Sequence, residues 1–273
     1  MRALWLHKMK QDNSGPQLAD IETKAPPAET VELRRCLKAF MSQPLSDHVV
    51  GAPITKKGAS ITIGAVKWGL YAFFDYDGEP IYVGQTRESL GSRVGRHLTN
   101  QRTDAVAMAV LDPFEVRTVK LWPLWEYQDV KGDPKRSQAA RDAADHLNRL
   151  ERTVFVELVR ASEFGKILNE KDPPDVELCD LPPSIDGEIV SEGVRKIRQH
   201  PDLRIARRAQ TIARLAQIIA GRDVQAGLRR ALATQADRLA WIAEKRFSAL
   251  GGEGAVEKRD IDGAGDEEGN DES

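Results

Sequence analysis

Residues 69–84 read GLYAFFDYDGEPIYVG, and the pattern of this segment predicts a β-hairpin. Two β-prone runs flank Asp77-Gly78, a dipeptide typical of a two-residue β-hairpin turn. With Asp77 and Gly78 as the turn, Phe73 faces Tyr82 across the hairpin. Tyr71 and Tyr82 then become diagonal neighbours on one sheet face, about 7–8 Å apart. Two adjacent phenols fit either the edge of a core or a functional site.

A helix is predicted directly after the hairpin, from Leu90 to Gln101. Its core stripe has helical spacing and consists of Leu90, Val94 and Leu98. Arg93 and His97 are four residues apart and therefore share a face beside that stripe. A guanidinium and an imidazole that project together can bind a phosphate, or they can form a solvated helix flank. The pattern alone leaves both interpretations open.

A long helix is predicted from Ser137 to about Arg160, with Ser137 as its N-cap. Glu151 and Glu157 lie on opposite edges of its apolar stripe, about 60° to either side of Val154. A carboxylate at the boundary of a core either reaches water or is held there to bind a ligand. Helical periodicity does not choose between these two glutamates.

Changes of composition along the chain predict an α+β protein with four segments. The α+β domain is predicted to contain a three-stranded sheet that is flanked by helices. Its third strand is predicted at Phe114–Leu121. The extension that follows contains three helices, with breaks near Pro201 and Gly221. The segments are a leader with a short amphipathic helix and a linker (1–60), the α+β domain (61–183), a basic helical extension (184–250) and an acidic, disordered tail (251–273).

The charge of the chain is unevenly distributed, although the formal net charge is only −2. Residues 195–250 contain thirteen lysines and arginines against four acidic residues, a net charge of +9. The tail, 251–273, has nine acidic residues against two basic ones, a net charge of −7. A basic segment of this kind indicates a polyanionic partner. The alternative is a set of helices that pack or dimerise with their arginines solvated.

Several classes of protein are excluded by the composition. Hydrophobic residues make up 41% of the chain and charged residues 30%, as expected of a soluble globular protein. No apolar run is long enough to span a membrane. Cys36 and Cys179 lack partners at ligand spacing, so we expect no zinc site and a cytoplasmic location.

Taken in order, these motifs resemble the GIY-YIG nuclease family over roughly residues 66–172. The resemblance rests on Gly69-Leu70-Tyr71, Tyr82-Val83-Gly84, Gln85-Thr86, Leu90-x-x-Arg93-x-x-x-His97, a later helical glutamate and an asparagine. Tyr82 follows Tyr71 by eleven residues. The chain departs from the family at Leu70 and Val83, where isoleucine is usual.

The resemblance assigns a role to each of six residues. Tyr71 would act as the base for the attacking water or orient that base, and Tyr82 and His97 would orient phosphate and water. Arg93 would bind the phosphate, and Asn169 would brace the site. Glu157, twelve residues before Asn169, would bind one Mg²⁺ or Mn²⁺, with Glu151 as the fallback ligand.

The resemblance therefore implies a metal-dependent DNA endonuclease. The short chain, without a recognisable zinc or repair module, favours a restriction or defence type, and the basic extension would bind the phosphate backbone of duplex DNA. The alternative is a non-catalytic DNA-binding or interaction module that retains the fold. A nuclease that cuts both strands with one site per chain commonly pairs with a second copy, so a homodimer is an open alternative to a monomer.

Overall fold

The structure is a computed structural model. It describes residues 28–53, 58–99, 110–131, 134–221 and 223–252. The predicted leader before residue 28 and the acidic tail after residue 252 lie outside these described residues. None of the described helices is long and apolar enough to cross a membrane.

The centre of the fold is a four-stranded antiparallel sheet with the order β2-β1-β3-β4. The strands are β1 (Gly69–Phe74), β2 (Pro80–Thr86), β3 (Thr118–Pro123) and β4 (Ile185–Glu188). The α+β class is confirmed, with one strand more than the three predicted. The additional strand, β4, has only four residues, too few to give an alternating pattern that stands out in the sequence. The strand β2 lies at one edge of the sheet.

The predicted hairpin register is confirmed up to Phe73, which pairs with Tyr82. At the turn the structure differs, because Phe74 pairs with Pro80 through a bulge. The carboxylate of Asp75 causes this difference. It accepts hydrogen bonds from the backbone amides of Asp77 (2.8 Å) and Glu79 (3.1 Å), which holds a loop longer than two residues.

Six α-helices surround the sheet in the described residues: α1 (Ala28–Met41), α2 (Leu90–Thr99), α3 (Gln138–Ala161), α4 (Glu192–Arg198), α5 (Pro201–Ala220) and α6 (Ala226–Ala249). All the predicted helices are present. The predicted N-cap is also confirmed, since Ser137 Oγ accepts a hydrogen bond from the amide of Ala140.

Helices cover both faces of the sheet. Side chains on both sides of β1 are therefore buried, which explains why this strand is apolar along its whole length. Tyr71 and Phe73 pack on one face with α1 and α2, whereas Leu70 and Ala72 pack on the other face with α3. Helix α1 belongs to this core, although the sequence placed it in a leader. The four-segment division stays a prediction, but α1 and β4 both contribute to the folded domain that the sheet organises.

The C-terminal helices are joined to the hairpin by a buried ionic cluster. Asp75 Oδ2 accepts hydrogen bonds from Arg204 (3.1 Å), Arg208 (2.9 Å) and Arg238 (2.7 Å). The three arginines are at most 3% exposed. Glu115 also contacts Arg204 and Arg208. These three guanidiniums are therefore inaccessible to DNA phosphates, and the helices that carry them pack on the β1–β2 hairpin.

Candidate active site

The candidate site lies at the open edge of the sheet, along β2. An edge strand has a neighbour on only one side, so side chains from both faces of the sheet can reach around it. Tyr82 and His97 come from one face, and Glu151 comes from α3 on the other. All three line a cleft of about 340 Å³.

Four residues assigned by the resemblance meet on the α2 side of the sheet. The hydroxyl of the buried Tyr71 lies 3.2 Å from Nδ1 of His97 and accepts a hydrogen bond from Nε of Arg93 at 3.3 Å. The ring of His97 packs edge-on against Tyr82, with 4.6 Å between ring centroids. The i, i+4 spacing on α2 and the hairpin register thus place Tyr71, Tyr82, Arg93 and His97 in one cluster.

The two motif glycines permit this close packing. Gly84 pairs with Tyr71 across the hairpin, and a Cβ at Gly84 would lie 2.6 Å from the Tyr71 hydroxyl. A Cβ at Gly69 would lie 2.6 Å from the backbone oxygen of Trp122 on β3. A side chain at either position would push the strands or the tyrosine apart.

Burial determines the protonation of the cluster. Burial, together with the nearby charge of Arg93, lowers the pKa of His97 to about 4, so the imidazole is neutral at pH 7. Burial raises the pKa of Tyr71, although Arg93 opposes that shift. Tyr71 is therefore a phenol whose neighbour, His97 Nδ1, can accept its proton. A stable phenolate at Tyr71 is disfavoured.

Glu151, rather than Glu157, is the carboxylate at the cleft. Gln85 Nε2 donates to Glu151 Oε2 at 2.8 Å and to Asn148 Oδ1 at 3.1 Å, which orients the carboxylate. Burial raises the pKa of Glu151, while Gln85 and Arg93 oppose the rise. From the sequence, Gln85 had no role assigned to it beyond its place in the motif of the resemblance. Its alternation with Gly84 on β2 was the signal that it faces α3.

The structure places the expected metal ligand, Glu157, away from the cleft and the fallback ligand, Glu151, at it. Glu157 is exposed and does not line the cleft. It lies six residues beyond Glu151, about 9 Å further along the helix axis and on a different face. The spacing from Asn169 favoured the glutamate that lies outside the cleft, because α3 continues to Ala161 before the chain turns back to β2.

Asn169 lies against the open edge of β2. Its Oδ1 accepts a hydrogen bond from the amide of Val83 at 3.1 Å, and its Nδ2 donates to the carbonyl of Val83 at 2.8 Å. The amide of Leu168 donates to the carbonyl of Ile81 at 2.8 Å. Leu168 and Asn169 therefore hold β2, the strand that carries Tyr82, in place.

The donor set of the cleft fits a hard divalent cation bound mainly by water and substrate. The described residues contain no group of three His, Cys, Asp or Glu side chains that could enclose a metal ion. Mg²⁺ usually keeps several waters and binds through one or two carboxylates together with substrate phosphates. Glu151, held by Gln85, supplies such a carboxylate.

Comparison with known families gives one match. A family model described as the GIY-YIG catalytic domain matches residues 67–131. This span includes Tyr71, Tyr82, Arg93 and His97, whereas Glu151 and Asn169 follow it. A search of curated proteins and a search of solved structures each found no match.

Proposed function

We propose that the chain, which carries a GIY-YIG catalytic domain, the domain of a nuclease family, is a metal-dependent endonuclease of duplex DNA. One observation carries the proposal. The hydrogen-bonded cluster of Tyr71, Arg93 and His97 and the oriented carboxylate of Glu151 meet around the same edge strand. A module that only binds DNA has no need of this combination.

The chain's own residues divide the work of hydrolysis. Arg93 binds the phosphate with guanidinium donors that stay charged at all relevant pH values. As the oxygen of water forms its bond to phosphorus and the bond to the 3′ oxygen breaks, the water proton passes to the Tyr71 hydroxyl. The phenol proton of Tyr71 passes to His97 Nδ1, and the departing 3′ oxygen takes a proton from solvent. A divalent ion held by Glu151 would supply charge neutralisation at the phosphate.

The proposal is tested by incubating the full-length protein with plasmid DNA and Mg²⁺ or Mn²⁺, with EDTA as the control, and sequencing the fragment ends. We expect cleavage only with metal. A single short sequence at all the ends would support a restriction or defence role. Binding of the plasmid without cleavage under any metal condition would favour the alternative, a non-catalytic DNA-binding module.

We expect Tyr71→Phe to lower the cleavage rate by about 10²–10⁴-fold, the usual contribution of general acid–base catalysis. The change keeps the ring and its packing but removes the hydroxyl that joins Arg93 to His97. Tyr127→Phe is a matched control, because the Tyr127 hydroxyl also lies close to a histidine nitrogen, 2.8 Å from His146 Nδ1, outside the cleft. Single-turnover cleavage should be impaired in the first variant alone. Full activity of Tyr71→Phe would exclude the proton relay.

The pH dependence of cleavage should reflect the low pKa of His97. A free histidine loses its neutral form below about pH 6.5. Because the pKa of His97 is lowered to about 4, its neutral, proton-accepting form persists well below that pH. We therefore expect the acid limb of kcat/KM to lie nearer pH 4 than pH 6.5. A limb at pH 6.5 that disappears in His97→Asn would contradict this assignment.

The lowered pKa of His97 also makes the stability of the folded protein depend on pH, so that stability rises as the pH rises. Its folded-state pKa is below the unfolded value, so the unfolded chain binds the proton more readily. The contribution of neutral His97 to the free energy of unfolding is fully present above about pH 6.5 and is lost as pH falls towards 4.

A further inference from the structure

A second cavity of about 250 Å³ lies beside the catalytic cleft. It is lined by Gln85, Thr86, Arg87, Glu88 and Arg93. Two of these residues connect it directly to the reacting groups. Gln85 donates to Glu151, and Arg93 donates to the Tyr71 hydroxyl. A substrate strand bound at Arg93 would therefore reach this cavity with an adjoining nucleotide.

The charges around the two cavities differ in sign. Among the described residues, neither Arg87 nor Arg93 forms an ion pair with a carboxylate. Glu88 is the one acidic residue in the lining of the second cavity, and its carboxylate is paired with Arg96 at 2.6 Å. Arg87 and Arg93 are thus left to interact with an anion. The catalytic cleft, in contrast, is lined by three acidic residues and one lysine: Glu151, Glu170, Asp172 and Lys171.

Arg87 is supported by an aromatic ring while it stays open to solvent. Its guanidinium carbon lies 5.9 Å from the ring centroid of Trp68, which is only 5% exposed. A cation over a tryptophan face is stabilised by the ring quadrupole. A guanidinium placed in this way suits the geometry of a phosphate, which accepts two parallel hydrogen bonds from it.

We propose that the second cavity binds a phosphodiester next to the scissile phosphate on the same DNA strand, with Arg87 as its ligand. This inference rests on the proposed function, since it places the scissile phosphate at Arg93. Contacts at Arg87 and Arg93 would orient the DNA along the rim where β2 ends and α2 begins. The buried arginines of α5 and α6 take no part in this contact.

The test measures DNA binding by the full-length protein in EDTA, by fluorescence anisotropy over a range of salt concentrations. The parent is compared with Arg87→Met and with the control Arg214→Met. Arg214 is exposed on α5 and forms no ion pair within the described part of the chain. Both substitutions remove one positive charge and keep an apolar side chain.

We expect Arg87→Met to reduce the slope of log K against log salt by about 0.9, the loss of one phosphate contact on duplex DNA. Arg214→Met should keep the parent slope. A parent slope in Arg87→Met would overturn the proposal. If the slope falls only in Arg87→Met but the plasmid is never cleaved, the anion site stands and the endonuclease assignment fails.

A second measurement locates the contact on the DNA. Once the fragment ends give the cleaved bond, a neutral methylphosphonate is placed at each phosphate that adjoins it. One of these substitutions should weaken binding by the parent and leave binding by Arg87→Met unchanged. Equal penalties for both proteins at both positions would show that Arg87 contacts neither flanking phosphate.

Discussion

Glu151→Gln is expected to abolish metal-dependent DNA cleavage, whereas Glu157→Gln is expected to leave it intact. The two glutamates lie on the same helix and undergo the same change, but only Glu151 lines the cleft. Loss of a catalytic ion removes several kcal/mol of transition-state stabilisation, or about 10³-fold or more in rate. Single-turnover cleavage at saturating DNA measures the difference.

The same pair of variants separates binding from chemistry. DNA affinity should change little in Glu151→Gln, because the phosphate-binding arginines remain. Mn²⁺ affinity, followed by electron paramagnetic resonance in the DNA complex, should fall in Glu151→Gln alone. If Glu157→Gln were inactive and Glu151→Gln active, Glu157 would be the metal ligand.

Asp75→Ala is expected to destabilise the protein by about 3–5 kcal/mol, the usual cost of leaving buried charges without their partner. Asp75 is 2% exposed and contacts three arginines from α5 and α6. Since small domains are stable by only about 5–15 kcal/mol, such a loss would bring the fold close to unfolding at room temperature. Urea unfolding at pH 7 measures the effect.

Asp77→Ala provides the matched control. Asp77 contacts Arg204 at 2.6 Å and lies in the same hairpin loop, but its side chain is 27% exposed. Partial exposure to solvent weakens an ion pair, so we expect Asp77→Ala to lower the free energy of unfolding by about 1 kcal/mol. If Asp75→Ala cost no more than Asp77→Ala, the buried cluster would contribute little to stability.

The parts of the fold that depend on neighbours in sequence could be predicted. The Asp77-Gly78 turn predicted the pairing of Phe73 with Tyr82, and the spacing of four residues predicted a shared helix face for Arg93 and His97. Both are local relations, fixed by strand and helix geometry. They related Tyr71 to Tyr82 and Arg93 to His97, whereas the contact between these two pairs depends on the packing of α2 on the sheet.

The parts that depend on distant partners could not be predicted. The excess of arginines in 195–250 indicated a polyanion, but charge composition does not reveal that Asp75 lies opposite Arg204, Arg208 and Arg238. In the same way, the distance along the chain between Asn169 and its glutamate depends on where α3 ends. Only packing on β2 decides that Glu151 faces the cleft.

Asn169 has a consequence for association as well as for the site. The exposed backbone of an edge strand can pair with a strand of another chain and so begin aggregation. Asn169 satisfies the amide and carbonyl of Val83 with its side chain, and Leu168 satisfies the carbonyl of Ile81. Two residues thus occupy hydrogen-bonding positions that a foreign strand would need. The edge beside the candidate site is thereby protected at Ile81 and Val83 against pairing with a foreign strand.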